Sequence, residues 1–441
     1  MDKDVLEQGV FFALQRANYV TNPYLLYHRL RAEAPFHWDF VLGGWFLTRY
    51  DDVRAALVDP RLSTKNFSFD VSQLPTALQK NLAPFGRVKE TDVLYNDPPE
   101  HDRLRRPLNR AFNPAVFVGM LPKIEAQAQE LLAKAARRRL MDVVGDYSEP
   151  LANFMICELL GLPGAIRQEF IEWCDQLTEF TTAQRIGSET VLTAQKAVKS
   201  FEAIRALIRR MIAARREKFV DDVIGRTLSV EPNEATLSED EVLANCVLFL
   251  HAGVRNMAAA ITNAVLVMLQ HPEQLVLLGK DPQSINIAVE ELLRYETPVQ
   301  VAIRGVPEEI EFAGQKIGPE QLLVLLLGAA NRDPGQFTDP DRLDLTRRPN
   351  HHVSFGFGAH GCVGAWMARF GLTIVIRAIL DHKTTLRLAT NRLQWNPAPI
   401  GRTVRKLVVL VDGRSRNGSR PPTRVPAQNP IRVARTPIPA F

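Results

Sequence analysis

One ten-residue stretch near the C-terminal end decides the fold, and it reads Phe355-Gly356-Phe357-Gly358-Ala359-His360-Gly361-Cys362-Val363-Gly364. Its glycines allow the backbone to turn tightly and to approach a flat group closely. The segment from Ala365 to Leu380 contains no proline and no glycine except Gly371, which predicts an apolar helix just after Cys362. Free amide groups and the positive end of a helix dipole favour a thiolate at that position. The stretch therefore predicts a cysteine thiolate that could serve as an axial ligand of iron.

This cysteine has two other interpretations, a structural zinc site and a buried, inert thiol. A zinc site would use His351, His352, His360 and Cys362. Structural zinc sites usually contain a second close cysteine or a histidine pair at helical spacing, and this stretch has neither. The long pattern of glycine, aromatic, histidine and cysteine residues favours an iron-binding loop over both alternatives.

The stretch resembles the haem-binding signature of the cytochrome P450 family, Phe-Gly-x-Gly-x-His-x-Cys-x-Gly, at all six defined positions. The resemblance implies that the cofactor is haem b, which is iron protoporphyrin IX, and that Cys362 is the metal ligand. It also implies haem contacts for Phe355 and His360. Together with the motifs described below, the resemblance covers about residues 20–411 in the family's order.

The composition is typical of a protein with a large core, because 46% of the 441 residues are hydrophobic. The four cysteines are scattered, which argues against a disulfide framework and favours a reducing cytoplasm. The N-terminus has acidic residues where a signal peptide has basic ones, and we expect no apolar run long enough to span a membrane. The sequence therefore predicts a soluble cytoplasmic protein, like the bacterial members of the family, without membrane contact.

The net charge of +5 comes from the C-terminal end of the chain. Residues 412–441 contain six arginines, six prolines and one acidic residue, whereas residues 1–411 carry 48 basic and 48 acidic residues. We therefore predict a haem-thiolate domain over residues 1–411 and a disordered basic tail over residues 412–441. The neutral body gives no support to nucleic-acid binding.

A second motif reads Asp97-Pro98-Pro99-Glu100-His101-Asp102-Arg103-Leu104-Arg105-Arg106. The prolines predict the start of a helix, on which His101 and Arg105 share a face because they are four residues apart. The pair resembles the His-x-x-x-Arg pair with which the family binds the haem propionates. The resemblance therefore implies that His101 and Arg105 bind the cofactor.

Three further arginines, Arg103, Arg106 and Arg110, are predicted to lie on the opposite side of this helix. Such a basic face is suited to an acidic protein partner. Because no reductase domain is fused to the chain, the resemblance implies electron supply from an external ferredoxin and ferredoxin reductase. These arginines are the predicted docking face for that partner.

The segment Ser238-Glu239-Asp240-Glu241 is a capping box and opens an apolar stretch of about thirty residues. A helix this long and apolar must cross the core. It resembles the family's central helix, which crosses the haem on the oxygen-binding side. Ala252 and Gly253 in its middle would leave room beside the iron.

Arg255 and Asn256 follow, where the family usually has an acid and then a threonine, and they are the predicted catalytic residues. Arginine offers only donors and keeps its proton, and asparagine does not readily lose one. In one interpretation Arg255 turns away and pairs with a protein carboxylate. In the other it anchors a carboxylate of the substrate or of a carrier arm. The sequence leaves both interpretations open.

Glu291 and Arg294, in a helix predicted over residues 284–295, resemble the family's Glu-x-x-Arg pair, and Arg342 resembles the arginine that completes a buried triad. A buried charge must be paired, so the triad is predicted to be structural. Arg304, in a strand predicted over residues 299–306, resembles an arginine that binds a haem propionate.

The resemblance implies the family's fold, a single triangular domain that is mainly α with small β-sheets. A hairpin is predicted over residues 36–48, a small sheet over 311–327 and a late hairpin over 396–402, whereas residues 59–95 are predicted to be irregular. The predicted substrate pocket contains Phe249, Ala252, Val299, Val301 and Ile400. Its apolar character indicates a largely hydrophobic small-molecule substrate.

Three functions agree with these observations. The first is an oxygen-dependent monooxygenase of secondary metabolism. The second is a haem-thiolate peroxygenase, or a redox-neutral isomerase or dehydratase, because Arg255 and Asn256 replace the usual acid and alcohol. The third is a docking module for a carrier protein that has lost catalysis, which the retained Cys362 disfavours.

Overall fold

The computed structural model describes residues 9–65, 74–182, 188–229, 236–381, 384–390, 392–397 and 400–413. The predicted tail over residues 412–441 lies outside these residues except for Asp412 and Gly413. Those two residues belong to the last strand, so the ordered body extends two residues past the predicted boundary.

Helices form most of the described protein, as predicted. The α-helices are α1 (Val10–Ala13), α2 (Ala17–Thr21), α3 (Tyr24–Glu33), α4 (Tyr50–Val58), α5 (Thr76–Glu90), α6 (Glu100–Ala111), α7 (Pro114–Arg138), α8 (Glu149–Leu159), α9 (Arg167–Thr182), α10 (Ser188–Glu217), α11 (Val223–Leu228), α12 (Glu239–Gln270), α13 (Pro272–Lys280), α14 (Ile285–Tyr295), α15 (Leu327–Ala330) and α16 (Ala365–Asp381). A π-helical turn covers Val143–Ser148, and 3-10 turns cover Gly164–Ile166 and Pro282–Ser284.

The strands are short and form small sheets. They are β1 (Phe36–Asp39), β2 (Gly44–Leu47), β3 (Leu140–Asp142), β4 (Val301–Gly305), β5 (Ile310–Phe312), β6 (Gln315–Ile317), β7 (Leu322–Leu326), β8 (Thr384–Leu388), β9 (Gln394–Trp395), β10 (Val404–Lys406) and β11 (Val408–Gly413). The largest sheet has the order β1-β2-β7-β4, in which only β2 and β7 are parallel. A second sheet has the order β3-β11-β8, and β5–β6 and β9–β10 are two-stranded.

The predicted hairpin over residues 36–48 is formed by β1 and β2, with Phe36 opposite Leu47 and Asp39 opposite Gly44. The parallel pairing of β2 with β7 joins this N-terminal hairpin to the part of the chain that precedes the cysteine loop. A hydrophobic core lies between this sheet and α4. The sheet therefore supports β4, which carries Arg304, from one side.

The central helix α12 begins at the predicted capping box. The Ser238 backbone N–H donates to Glu241 Oε2 at 2.8 Å, and the Glu241 N–H donates to Ser238 Oγ at 3.2 Å. The helix runs through the main hydrophobic core and packs against α8, α10 and α16. The helix begins where the capping box predicts, and its 32 residues agree with the predicted length of about thirty.

The same helix corrects the expectation that the chain lacks a membrane-length apolar run. Among the described residues, α12 is long and apolar enough to cross a membrane by length and composition, although 67% of its most apolar window is buried inside the protein. A core helix of a large domain has this property, since it must be apolar on all sides.

Two local predictions were wrong. Residues 59–95 were predicted to be irregular, but Thr76–Glu90 form α5 with Pro84 inside it. The late hairpin was predicted over residues 396–402, whereas its strands β9 and β10 lie on either side of that segment. In the first case packing overruled the local signals for a chain break, because apolar side chains of α5 such as Leu82 and Phe85 are buried in the core.

The buried ion triad contains a different arginine from the one predicted. Glu291 and Arg294 are fully buried and pair at 2.7 Å, but the second arginine is Arg347, whose Nε lies 3.1 Å from both Glu291 oxygens. Arg347 also donates to the carbonyl oxygens of Thr338, Asp339 and Arg342. Arg342 itself is exposed. The folded path of this loop explains the difference. It places the Arg347 side chain against the backbone carbonyls of residues 338–342, whereas the Arg342 side chain is exposed.

Candidate active site

The cysteine loop has the tight turns that its glycines predict. Gly356 and Gly358 have φ angles of 68° and 74°, a region that side-chain-bearing residues rarely adopt. A Cβ atom on Gly358 would also lie 2.7 Å from Val58 Cγ1. The Cys362 N–H donates to the Phe355 carbonyl oxygen at 2.8 Å, which closes the loop just before α16 begins.

The thiol of Cys362 remains accessible although protein surrounds it. Burial raises the pKa of Cys362, and the Gly364 N–H, Arg105 and Arg369 only partly offset this effect. The Gly364 N–H near the start of the helix does favour the thiolate, but burial has the larger effect on the free thiol. Binding of a metal ion by Cys362 would supply the missing stabilisation, because a coordinating thiol is deprotonated outright.

His101 lies beside the cysteine loop and is almost completely buried. Its Nδ1 is 3.0 Å from Asp102 Oδ1, and its ring centroid is 4.2 Å from that of His360. Among the described residues, no hydrogen-bond partner is found for the buried His101 Nε2. A buried polar atom of this kind needs a partner, so His101 is suited to a polar group of a ligand.

Arg105 and Arg304 add positive charge to the same region. Arg105 Nη2 donates to the Gly361 carbonyl oxygen at 2.6 Å, and Arg304 Nη1 donates to the Ile303 carbonyl oxygen at 3.0 Å. Within the part of the chain that the structure describes, neither guanidinium forms an ion pair with a carboxylate. Burial, followed by the charges of His101, Arg304 and Arg105, lowers the pKa of His360 to about 4. Arg105 and Arg304 therefore place positive charge close to His360 and the cysteine loop.

These groups fit a flat cofactor that carries two carboxylates. Among the described residues, Arg105 and Arg304 form no ion pair with a carboxylate, and His101 Nε2 has no hydrogen-bond partner. Cys362 offers a sulfur ligand, and the glycine loop leaves room for a ring. Among the described residues there is no group of three or more histidine, cysteine or acidic side chains that could hold a metal ion, which disfavours the zinc interpretation.

The Cytochrome P450 family pattern matches residues 46–275 and 284–386. The chain belongs to the cytochrome P450 family. It is 34% identical to the biotin biosynthesis cytochrome P450 of Bacillus subtilis over 386 residues, which are 86% of this chain and 94% of that relative. It is 30% identical to the 6-deoxyerythronolide B hydroxylase of Saccharopolyspora erythraea over 414 residues, which are 91% and 98% of the two chains.

A solved structure of P450BioI in complex with an acyl carrier protein ligated to hexadec-9Z-enoic acid superimposes with a TM-score of 0.78 and 33% identity. The match covers 90% of this chain and 99% of that chain. The cytochrome P450 described here is accordingly an oxidoreductase of the monooxygenase type, and its cofactor is haem b. The predicted fold class and cofactor are thereby confirmed.

In the central helix α12, Ala252 is partly buried, whereas Arg255 and Asn256 are exposed. The charge of Arg255 acts on two carboxylates. Burial raises the pKa values of Glu149 and Asp175, and Arg255 lowers them. Glu149 begins α8 and Asp175 lies in α9, and both helices pack against α12. This arrangement favours the interpretation in which Arg255 faces protein carboxylates.

The predicted pocket residues differ in how far their side chains are exposed. Phe249 is buried with its ring centroid 4.6 Å from that of Phe112, and Val301 is buried in the core behind the large sheet. Val299 is partly buried and bridges Gly401, which brings Ile400 close to it. The structure thus brings Val299 and Ile400 together, whereas Phe249 and Val301 contribute mainly to packing.

Two features of the site were missed at the level of sequence. Asp97 accepts hydrogen bonds from Ser63 Oγ at 2.5 Å and from the Thr64 N–H at 2.9 Å, and its charge opposes the pKa lowering of both Arg304 and His360. Its position directly before two prolines was the available signal. The second feature is an ion-pair cluster formed by Glu290, His352 and Arg369. No sequence motif indicated this cluster.

Arg103 is not available as part of an open docking face. It donates to Glu100 Oε2 at 2.7 Å and forms an ion pair with Glu241, the capping residue of α12. Arg110 donates to the Ser229 carbonyl oxygen at 3.3 Å, whereas Arg106 is exposed. The predicted basic face is therefore reduced, because helix α6 uses Arg103 to hold the start of the central helix.

Proposed function

We propose that this cytochrome P450 inserts one oxygen atom from O2 into a largely hydrophobic small molecule, with electrons from an external ferredoxin and its reductase. The observation that carries the proposal is the donor set beside the accessible Cys362. Among the described residues, His101 Nε2 has no hydrogen-bond partner, and Arg105 and Arg304 form no ion pair with a carboxylate. When bound, thiolate-ligated haem supplies oxygen activation, because the thiolate pushes electron density that favours O–O cleavage. The protein contributes binding, orientation and proton transfer.

In this proposal the residues of the site bind the cofactor, hold the iron or contact the substrate. Arg105, Arg304 and His101 would bind the two propionates, Cys362 would hold the iron, and the rings of Phe355 and His360 would contact the cofactor. On the opposite side, Asn256 would hydrogen bond to substrate or water through its amide without losing a proton. Ala252 would leave space next to it, and Val299 and Ile400 would contact the substrate.

The test is turnover under isotopically labelled oxygen. Ligands are first selected by a Soret shift, with hexadecanoic acid as the starting probe. Each hit is then incubated with NADPH, a surrogate ferredoxin and ferredoxin reductase under 18O2. We expect one 18O atom per product molecule and no product when the ferredoxin is omitted. Product formed at the same rate without ferredoxin and O2 would contradict the proposal.

The electron donor is proposed to approach over Arg106. Reversing its charge by Arg106→Glu should slow reduction by an acidic ferredoxin, on the order of threefold at low salt. The effect should disappear as salt rises, because exposed charges are screened beyond about 10 Å at 0.1 M ionic strength. Stopped-flow reduction at several salt concentrations measures it. Arg210→Glu, at an exposed arginine on α10, is the matched control, and equal slowing by both variants would argue against this face.

We further propose that the natural substrate is an acid or its carrier-bound form. The support comes from the relatives, because one is named for biotin biosynthesis and a similar structure contains an acyl carrier protein with a fatty acid. Secondary or polyketide metabolism fits the same comparison, since another relative, 32% identical, is a polyketide biosynthesis cytochrome P450 of Bacillus subtilis. A cytoplasmic location would agree with such substrates and with the acyl carrier proteins that deliver them.

Arg255 is proposed to pair electrostatically with Glu149 and Asp175 rather than with substrate. Accordingly, Arg255→Ala should leave the affinity ratio of hexadecanoic acid to its methyl ester unchanged within about twofold, the size of a minor surface effect. Soret titration of both ligands measures this ratio. If Arg255 instead anchors the substrate carboxylate, the substitution should weaken acid binding alone by roughly 1.5–3 kcal/mol, as expected for a charge-assisted hydrogen bond.

Peroxide-driven or redox-neutral catalysis is the second candidate, favoured by the replacement of the usual acid and alcohol with Arg255 and Asn256. The peroxide-driven reaction predicts turnover with hydrogen peroxide alone at a rate that matches or exceeds the ferredoxin-supported rate. The redox-neutral reaction predicts product without peroxide, O2 or ferredoxin. If the wild type forms product under neither condition, this candidate is removed.

A further inference from the structure

Behind the cysteine loop lies the ion-pair cluster formed by Glu290, His352 and Arg369. Arg369 Nε and Nη2 donate to the two oxygens of Glu290 at 2.7 Å and 2.9 Å, a bidentate pair. His352 Nε2 lies 3.1 Å from Glu290 Oε2. Because the Ser354 N–H donates to His352 Nδ1 at 3.2 Å, we assign the ring hydrogen to Nε2. His352 and Arg369 therefore both bind the carboxylate of Glu290.

The cluster is only partly exposed, and its hydrogen bonds stabilise the charged form of the Glu290 carboxylate. Burial opposes the charge on Glu290, but the hydrogen bonds from His352 and Arg369 lower the pKa of Glu290 to about 2. The exposed fractions are 25% for the Glu290 side chain, 33% for Arg369 and 2% for His352. The positive and negative charges are thus fixed at short range in a region where water screens them incompletely.

The cluster reaches the cysteine through Phe355. The guanidinium carbon of Arg369 lies 4.7 Å from the centre of the Phe355 ring, and the ring of His352 lies 5.9 Å from it. Phe355 in turn accepts the hydrogen bond from the Cys362 N–H. Arg369 is also on α16, seven residues or about two helical turns beyond Cys362. Glu290, on α14, is the partner that holds Arg369 there.

We propose that Glu290 and Arg369 form a balanced charge pair that sets the reduction potential of the haem bound at Cys362. The inference rests on haem ligation by Cys362 and not on the identity of the substrate. Reduction transfers one electron from the external donor to ferric haem, so that the region becomes more negative by one charge. A cation near the sulfur stabilises the ferrous form and an anion stabilises the ferric form. Both residues are positioning residues, since neither touches substrate.

The pair predicts shifts of opposite sign. Arg369→Met leaves Glu290 without its cation, so the ferrous form is disfavoured and the midpoint potential falls. Glu290→Gln leaves the charge of Arg369 unbalanced, and the potential rises. At the wild-type midpoint, the ratio of ferrous to ferric haem should change at least about threefold in each direction. This change corresponds to about 28 mV, from 59 mV per tenfold for one electron. The double variant should return close to the wild-type value.

The experiment is spectroelectrochemical titration of the substrate-free holoenzyme. The ferrous–CO spectrum of each variant first verifies thiolate ligation, which separates a loss of haem binding from a change of potential. Arg387→Met, in an exposed ion pair with Asp412 on the β8–β11 pair, is the control and should leave the potential unchanged. Should Arg369→Met fail to fold, Arg369→Gln replaces it, because it removes the charge and keeps a hydrogen-bond donor.

Charge-conserving variants complete the test. Arg369→Lys and Glu290→Asp should keep the wild-type potential, since they preserve the charges. Shifts of the same sign in Arg369→Met and Glu290→Gln would overturn the proposal, as would equal shifts in the charge-conserving and neutral variants. The absence of any shift in variants that retain the thiolate spectrum would also overturn it.

Discussion

Exchange of Cys362 for histidine is expected to abolish the strongly red-shifted Soret band of the ferrous–CO complex and to lower oxygen-dependent turnover to the assay background. The reason is electronic, because a neutral imidazole replaces the thiolate that donates electron density to the iron. Haem content, the CO spectrum and turnover with a surrogate ferredoxin measure the result.

The matched control is Cys246→Ala, which changes a buried cysteine of α12. It should retain the thiolate spectrum, because this thiol only packs within the core. Persistence of the red-shifted band in Cys362→His would mean that another residue is the ligand.

Removal of the central carboxylate of the buried triad, by Glu291→Ala, is expected to lower the free energy of unfolding by about 3–5 kcal/mol. Glu291 and Arg294 are fully buried, and without the carboxylate two guanidinium groups lose their anion. Chemical denaturation followed by the haem spectrum and by circular dichroism measures the loss.

Two arginine variants make this prediction specific. Arg347→Ala should also destabilise the protein, since Arg347 pairs with Glu291 and closes the preceding loop. Arg342→Ala should change stability by no more than about 0.5 kcal/mol, as is usual for an exposed residue. A larger loss for Arg342→Ala than for Arg347→Ala would contradict the assignment of the triad.

The long elements and the cysteine loop could be predicted because their signals are local. The capping box at Ser238 defines the start of α12 by hydrogen bonds between residues three apart. Gly356 and Gly358 adopt the left-handed conformations that glycine tolerates best. His101 and Arg105 are four residues apart, so helix geometry alone places them on the same face of α6.

Contacts between distant segments could not be predicted in the same way. Arg342 and Arg347 are both arginines of one loop, and only the folded path of the backbone decides which of them meets Glu291. Similarly, Pro84 and Pro107 lie inside helices, because tertiary packing outweighs their local cost. The partners of Arg103 and Arg255 lie on other helices, so spacing along one helix could not reveal them.

The pKa of the Cys362 thiol could not be predicted from its position before α16 alone. The end of α16 does favour a thiolate, but the cost of burial is larger and raises the pKa of the free thiol. The region around it is nevertheless positive, through Arg105, Arg304 and Arg369. A dianionic, iron-containing cofactor would account for both features, since it would supply the metal for the sulfur and the carboxylates for Arg105 and Arg304.

The most direct test of this account is the absorption spectrum of the reduced wild-type protein with carbon monoxide, recorded after expression with a haem supply. The account predicts stoichiometric haem and the strongly red-shifted Soret band of a thiolate-ligated iron. A stable, fully loaded protein whose band is that of imidazole ligation would contradict the assignment of Cys362 as the iron ligand, and with it the central claim.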